Sequence, residues 1–203
     1  VGLAGIGAGS PSVGFSAGRP RLKKAIEAMV GQHRETNFNT HAIALTEALD
    51  VRKGVPGVLD KVIERECIGM SSTAFTEAER QMCMLEVQHQ IDDMATTAET
   101  DGQDTIRSLR AILSALRAID APKTMVLVSE GFLMQDQIDE VTELGTLSAA
   151  ARTSIYALRL DDQSFMADVS DRFAPIASMN DRSARGQGLE TLVASSRGAL
   201  FNV

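Results

Sequence analysis

Apolar positions along this chain follow two different periods, and the change between them divides it. After Pro122 the run Lys123-Thr124-Met125-Val126-Leu127-Val128-Ser129 is almost continuously apolar and of strand length. Such runs belong to strands buried on both faces, as in parallel sheets covered by helices. Ile138, Val141, Leu144 and Ala151 then mark a helix, and Ser154-Ile155-Tyr156-Ala157-Leu158-Arg159-Leu160 a second strand. Asp161 to Arg185 is polar and reads as irregular, broken at Pro175. Gly188 to Ser196 reads as a short helix and Gly198 to Val203 as a final strand.

Before Pro122 the helical period dominates. Val1 to Gly7 is short, apolar and glycine-laced, and reads as a buried strand. A Gly/Ser loop from Ala8 to Gly18 follows, and Pro20 suits the first turn of a helix whose face is Leu22, Ile26, Met29 and Val30. Residues 32–120 contain no convincing strand. His41 to Val51 reads as one helix and Leu59 to Cys67 as the next. Thr76 followed by Glu79 is a capping box, opening a helix through Cys83, Val87, Ile91 and Met94 that Asp101-Gly102 interrupts. Ile106, Leu109, Leu113, Leu116 and Ile119 form another amphipathic stripe. The order predicts an α/β fold: a mostly parallel sheet flanked by helices, residues 1–203 as one domain, with a helical insertion at about 33–103.

Composition removes several functions. Lys and Arg number 20 against 27 Asp and Glu, a net charge of −7, which argues against a general nucleic-acid binder. A hydrophobic share of 44% is enough for a core. No run approaches the ~18 apolar residues of a membrane span. Two Cys and three His cannot build a zinc-finger array or an iron–sulfur cluster. No Trp and one Tyr disfavour stacking platforms for single strands or sugars. The chain starts at Val1 without a basic and apolar leader, and it stops inside an apolar run, so missing flanks are expected at both ends.

Candidate chemistry is sparse. Gly5-Ile6-Gly7-Ala8-Gly9-Ser10 follows a strand, as a dinucleotide loop would, but Ser10 stands at the third glycine position and no helix starts there. A structural glycine loop is the simpler reading. His33, His41 and His89 lack a Ser or Cys at motif spacing and read as surface or capping residues. Arg19, Arg21, Lys23 and Lys24 cluster at a helix start and read as a solvated turn. Cys67 and Cys83 would be buried thiols in a reducing compartment and a pair in an oxidising one.

The segment Thr124 to Ser129, ending in Glu130-Gly131, resembles the fourth strand of von Willebrand factor A (VWA) domains, where a hydrophobic strand ends in Asp-Gly. The helix with Leu147-Ser148-Ala149-Ala150-Ala151, the strand at Ser154 to Leu158, and Gly188-Leu189-Glu190-Thr191-Leu192 leading to Ser196-Arg197-Gly198-Ala199-Leu200-Phe201 follow in the family's order over 122–203. The resemblance is to a bacterial, exported branch with a long helical insertion. It extends to Phe15-Ser16-Ala17-Gly18, where that branch shows Phe-Thr-x-Asp. Two registers are open. Val1 to Gly7 is either the family's second strand, with the first missing from this chain, or the first strand with Ala8-Gly9-Ser10-Pro11-Ser12 in place of Asp-x-Ser-x-Ser.

The resemblance implies a Rossmann-like VWA fold, a non-enzymatic protein-binding or adhesion role, an exported location, and with it a Cys67–Cys83 disulfide. Metal-binding relatives collect a divalent ion with Asp-x-Ser-x-Ser, a Thr and an Asp. Here Ser16 and Glu130 are the only counterparts, so no Mg or Mn ion is expected unless a missing first strand or Asp161/Asp162 adds ligands. No catalytic or cofactor-binding residue is expected, no nucleic acid and no membrane span. The ligand edge lies at Ser16, Glu130 and the loop after Leu160. Two other functions fit the pattern: a small-molecule or nucleotide-binding α/β enzyme domain using Gly5–Gly9, and a scaffold that docks a partner through the helical insertion.

Overall fold

Two strands of opposite character begin the chain. In the computed structural model, which describes residues 1–6, 10–15, 19–28, 41–68, 76–134, 138–160 and 175–203 (side chains from 179 in the last segment), β1 (Leu3–Ala4) pairs antiparallel with β2 (Ser12–Val13). This departs from the expectation of one buried strand followed by a loop. Leu3 is half-buried and Ala4 exposed, and Ile6 reaches the main core. Helix α1 (Arg19–Glu27) follows, with its basic residues in solvent and no residue buried.

The helical segment comes next. Helix α2 (Leu45–Arg52) and α3 (Val58–Ile63), which runs into a π turn at Glu64–Ile68, pack against α4 (Glu77–Leu116). Thr76 and Glu79 form the expected capping box at the start of α4. The predicted break at Asp101-Gly102 does not occur: α4 is one helix of 40 residues. Its buried positions keep to one face, in steps of three, four or seven residues, from Cys83 through Val87, Ile91, Ala95, Gly102, Ile106 and Leu109 to Leu113. Glycine in a helix costs only about 1 kcal/mol. A continuous buried stripe on both sides of Gly102 outweighs that.

The stripe on α4 serves two cores in turn. Its first half meets Ile43, Ala48, Val62 and the Cys67–Cys83 disulfide, whose Cα atoms are 5.8 Å apart. Its second half, Ile106, Leu109 and Leu113, meets the sheet. A smaller cluster of Leu45, Leu49, Ala95 and Leu133 joins the two.

The sheet of the second half has the order β3-β4-β5, with β3 (Lys123–Ser129), β4 (Thr153–Arg159) and β5 (Leu200–Asn202) all parallel. The mixed α/β class and the parallel pairing of the two long apolar runs agree with the sequence reading. Helix α5 (Ile138–Ala150) crosses from β3 to β4, and α6 (Pro175–Ser195) leads to β5. Helix α6 corrects the reading of Pro175 as a breaker and of a helix starting at Gly188. Proline has no N–H to lose in a first turn, so it opens a 21-residue helix. Met125, Leu127, Ile155, Ala157 and Leu200 face α4, α5 and α6. The intervening residues corrected a second expectation. Val126 and Val128 are exposed, so β3 is buried on one face only.

Candidate functional site

Parallel strands place their carboxyl ends on one edge, and that edge is where open α/β sheets meet ligands. The register puts Ser129 beside Arg159 and Arg159 beside Asn202 in one row. Glu130 and Gly131 continue from Ser129. Gly131 takes φ +119°, a conformation that side chains rarely adopt, and an added Cβ would lie 2.6 Å from the Arg185 carbonyl oxygen. Its N–H donates to Ser129 Oγ at 3.1 Å, and the next N–H, of Phe132, donates to the Arg185 carbonyl at 3.2 Å. Gly188 admits the Phe132 carbonyl at a spacing no Cβ would tolerate. The chain after β3 is therefore seated on α6 by close backbone contact, with Phe132 and Leu133 packed beside it.

Arg159 is held from the same helix. Its Nη2 donates to the Arg182 carbonyl at 2.9 Å, over the space left by Gly186. The described edge thus carries the side chain of Arg159 and the backbone carbonyls of Arg182 and Arg185, with Arg185 and Glu130 exposed. The Arg159 guanidinium and the exposed Arg185 are the cationic side chains available here, and guanidinium groups engage carboxylates and other anions in bidentate fashion.

Of the two residues expected near a metal, Glu130 stands on this edge and Ser16 lies outside the described residues. So do Asp161, Asp162 and the turn at Gly7 to Gly9. The disulfide partners Cys67 and Cys83 are joined within the helical segment. Among the described residues no group of three His, Cys, Asp or Glu side chains could hold a metal ion. Glu130 offers one carboxylate, and a Mg²⁺ ion needs a near-octahedral oxygen shell. A shallow polar hollow between α4 and α5 is lined by Gln103, Arg107, Arg110 and Glu140, but its arginines are paired with Asp104 and Glu143 at 2.8 Å.

Two polar groupings were missed in the sequence. Asp181, on α6, accepts from the N–H groups of Leu45 and Thr46 at 2.8 and 2.7 Å, and from the Thr46 hydroxyl at 2.7 Å. Ala44, at the N-cap of α2, has no side-chain acceptor, so the cap comes from 137 positions away, counted to Ala44, on another helix. The second grouping surrounds His41, which is buried rather than a surface residue. Gln90 of α4 bonds both the N–H (3.2 Å) and the carbonyl (2.8 Å) of His41, as a neighbouring strand would. The imidazole lies 3.9 Å from Glu66 and 3.6 Å from Glu86. Arg65 bonds Glu66 at 2.8 Å, Glu47 at 2.7 Å and the Ala42 carbonyl at 2.7 Å. Burial opposes ionisation of Glu47, but the Arg65 bonds and the Ala44 N–H outweigh it and hold its carboxyl below the usual range. The same bonds, those from Glu47 first, push Arg65 upward. These groups bind one another, so they read as structural ties. His89 is exposed beside Asp93 at 3.1 Å, and His33 lies outside the described residues.

No protein-family model matches the sequence, and neither a curated protein nor a solved structure matches it.

Proposed function

We propose that the chain is a VWA-like, non-enzymatic protein-binding module of an exported protein. The observation that carries the reading is the row Ser129–Arg159–Asn202 at the carboxyl ends of three parallel strands, with Glu130 and Arg185 exposed beside it. Three features support the family resemblance. A strand at Leu3–Ala4 precedes helix α1, the order in which the resemblance sets a strand before the helix at Arg19. The parallel order β3-β4-β5 follows, and a helical segment separates the two sheets. The Cys67–Cys83 bridge supports an oxidising compartment. The cationic Arg159 and Arg185 at the edge favour a partner that presents carboxylates. In this chain the edge works without a divalent ion.

Site-specific photo-crosslinking in the native host tests the reading. A photoreactive residue at position 130 should capture one discrete protein, whereas one at position 120, at the opposite end of the sheet, should not. Arg159→Glu with Arg185→Glu should abolish the capture. Equal labelling from both positions overturns the edge as the binding surface. Calorimetric titration covers the ion: saturable Mg²⁺ or Mn²⁺ binding tighter than about 0.1 mM, lost in Glu130→Ala, would replace the ion-free reading.

A further inference from the structure

Charge is spread unevenly along this chain. Its net charge is −7, yet α1 carries Arg19, Arg21, Lys23 and Lys24 against the single acid Glu27. All four cations are exposed, and α1 buries no residue. Lys23 lies 3.7 Å from Glu27 in a loose surface pair. Arg19, Arg21 and Lys24 have no ion-pair partner among the described residues. Six other arginines, Arg52, Arg65, Arg80, Arg107, Arg110 and Arg152, each meet a carboxylate. The cations of α1 are therefore the concentrated and unanswered ones.

Apolar groups stand among them. Ile26 is 51% exposed, and Phe15, four residues ahead of the helix, is 64% exposed. Residues three and four apart share a helix face, so Arg19, Lys23 and Ile26 form one outward stripe. Leu22 and Ala25 are half-buried, and α1 packs chiefly against β2.

The mixture of charge and bare apolar surface selects the partner. A second copy would have to offer a concentrated acidic patch. Among the described residues no three His, Cys, Asp or Glu side chains converge, and Glu47, Glu66, Asp104 and Glu143 are already paired with arginines. A polyanion such as a nucleic acid answers the charge but has no place for Ile26 and Phe15. An anionic bilayer surface answers both, with phosphates for the cations and acyl chains just beneath for the apolar groups. Lys and Arg suit that position because their stems reach back to the headgroups while neighbouring apolar side chains go deeper. The rest of the chain is acidic, but at physiological salt its repulsion is screened beyond about 8 Å.

We infer that α1, with Arg19, Lys23 and Ile26 toward the surface and Phe15 as a second apolar anchor, is a peripheral contact of this protein with an anionic phospholipid surface. The helix lies at the headgroups and crosses nothing, in keeping with the absence, among the described residues, of any helix long and apolar enough to span a membrane. The inference stands whether or not the carboxyl edge binds a partner.

The probe is a vesicle of phosphatidylcholine with about one-third phosphatidylglycerol, with pure phosphatidylcholine as the control. Co-sedimentation of the full chain should show saturable binding to the anionic vesicles, half-complete near or below about 1 mM accessible lipid, and none to the control. Arg19→Gln with Lys23→Gln should weaken it at least about tenfold, each cation near such a surface being worth about fivefold. Lys53→Gln, which removes an exposed cation beyond α2, should leave it unchanged. Ile26→Gln should weaken it at least about threefold, through lost apolar contact. All of these side chains are exposed, so the variants should keep the far-ultraviolet dichroism and melting midpoint of the parent. The chain has no Trp, so Phe15→Trp supplies a single indole emission. It should shift to the blue on anionic vesicles and stay put with polyglutamate. Absence of binding, or equal binding to the two vesicles, overturns the inference. So does undiminished binding in folded Ile26→Gln. An equal blue shift with polyglutamate overturns it in favour of an acidic protein partner.

Discussion

The helical segment and the sheet half share α4 but are held together by different means. The sheet half buries Ile106, Leu109, Leu113, Leu127, Val141, Leu144, Ile155, Leu189 and Leu192 in one large cluster. At roughly 1.5–3 kcal/mol for each fully buried aliphatic side chain, that half is stabilised mainly by burial. The helical segment has a smaller cluster, Ile43, Ala48, Val62, Val87 and Ile91 among them. It adds a disulfide, the Asp181 cap, the Gln90 clasp on His41 and the Arg65–Glu47–Glu66 ties. A small apolar core is thus supplemented by a covalent tie and a dense set of polar ones, and a large one stands without a disulfide. The comparison makes the two regions differ in what should break them.

The largest difference is expected from the disulfide. Closing a loop with a separation of 16 residues stabilises by about 3 kcal/mol on the chain-entropy estimate. Cys67→Ser with Cys83→Ser should therefore open α2, α3 and the first half of α4 well before the sheet. Hydrogen exchange measures this. Amides of Val62 and Val87 should lose protection while those of Leu113 and Ile155 keep theirs. A single loss of protection across both regions would show one cooperative unit and remove the distinction.

The Asp181 cap should come second, because it joins the two regions. Its carboxylate satisfies two N–H groups at the start of α2 and places a negative charge at that helix N-terminus. Asp181→Ala should cost about 2 kcal/mol, at the upper end for a lost cap, since two N–H groups and a hydroxyl lose their acceptor. Asp181→Asn should recover part of it, as the amide oxygen still accepts. Chemical denaturation with exchange at Leu45 and Thr46 distinguishes the two variants. An unchanged Asp181→Ala protein would mean that α2 docks through Leu45 and Leu49 alone.

Legibility in the sequence follows the range of the forces involved. Strands β3 and β4 and helix α5 are plain because period and turn residues are local signals. The capping box at Thr76 and Glu79 is local too. The continuation of α4 through Gly102 was hidden, since local preference argues for a break and only burial on both sides argues against it. Pro175 is ambiguous by nature: the same residue ends one helix and begins another. The cap on α2 was out of reach because its acceptor is distant in sequence and Ala44 gives no hint of needing one. The bare face of the sheet was misread for a different reason. An apolar run records that both faces favour burial and does not record whether a covering element is present. At the edge, Glu130 was identified from its place after a strand. Arg159 and Arg185 give no such signal, because the contacts that set them at the edge come from a stretch of α6 that reads as irregular in the sequence.

The smallest effect is expected from acid. Glu47 has its carboxyl held below the ordinary value of 4.5, burial opposing this and Arg65 and the Ala44 N–H prevailing. A carboxyl whose folded value is depressed contributes stability above its unfolded value and loses it as pH falls through the folded one. The contribution is therefore whole at neutral pH and disappears below about pH 4.5, in the direction of weaker attachment of α2 to the π turn. Glu47 is a quarter exposed and Arg65 more so, which screens the pair and limits the effect to about 1 kcal/mol. Glu79 is depressed too, by its bonds from the Thr76 backbone and hydroxyl, and it releases its hold on the start of α4 over the same range. Glu47→Gln separates the two. Exchange at Ala44 and Ala48, followed from pH 7 to pH 3, should rise in the parent and stay flatter in the variant. The sheet half, where neither carboxyl lies, should not respond in either protein. Equal acid sensitivity of parent and Glu47→Gln would place the response on other carboxylates and leave the Arg65 tie without a measurable share in holding the helical segment together.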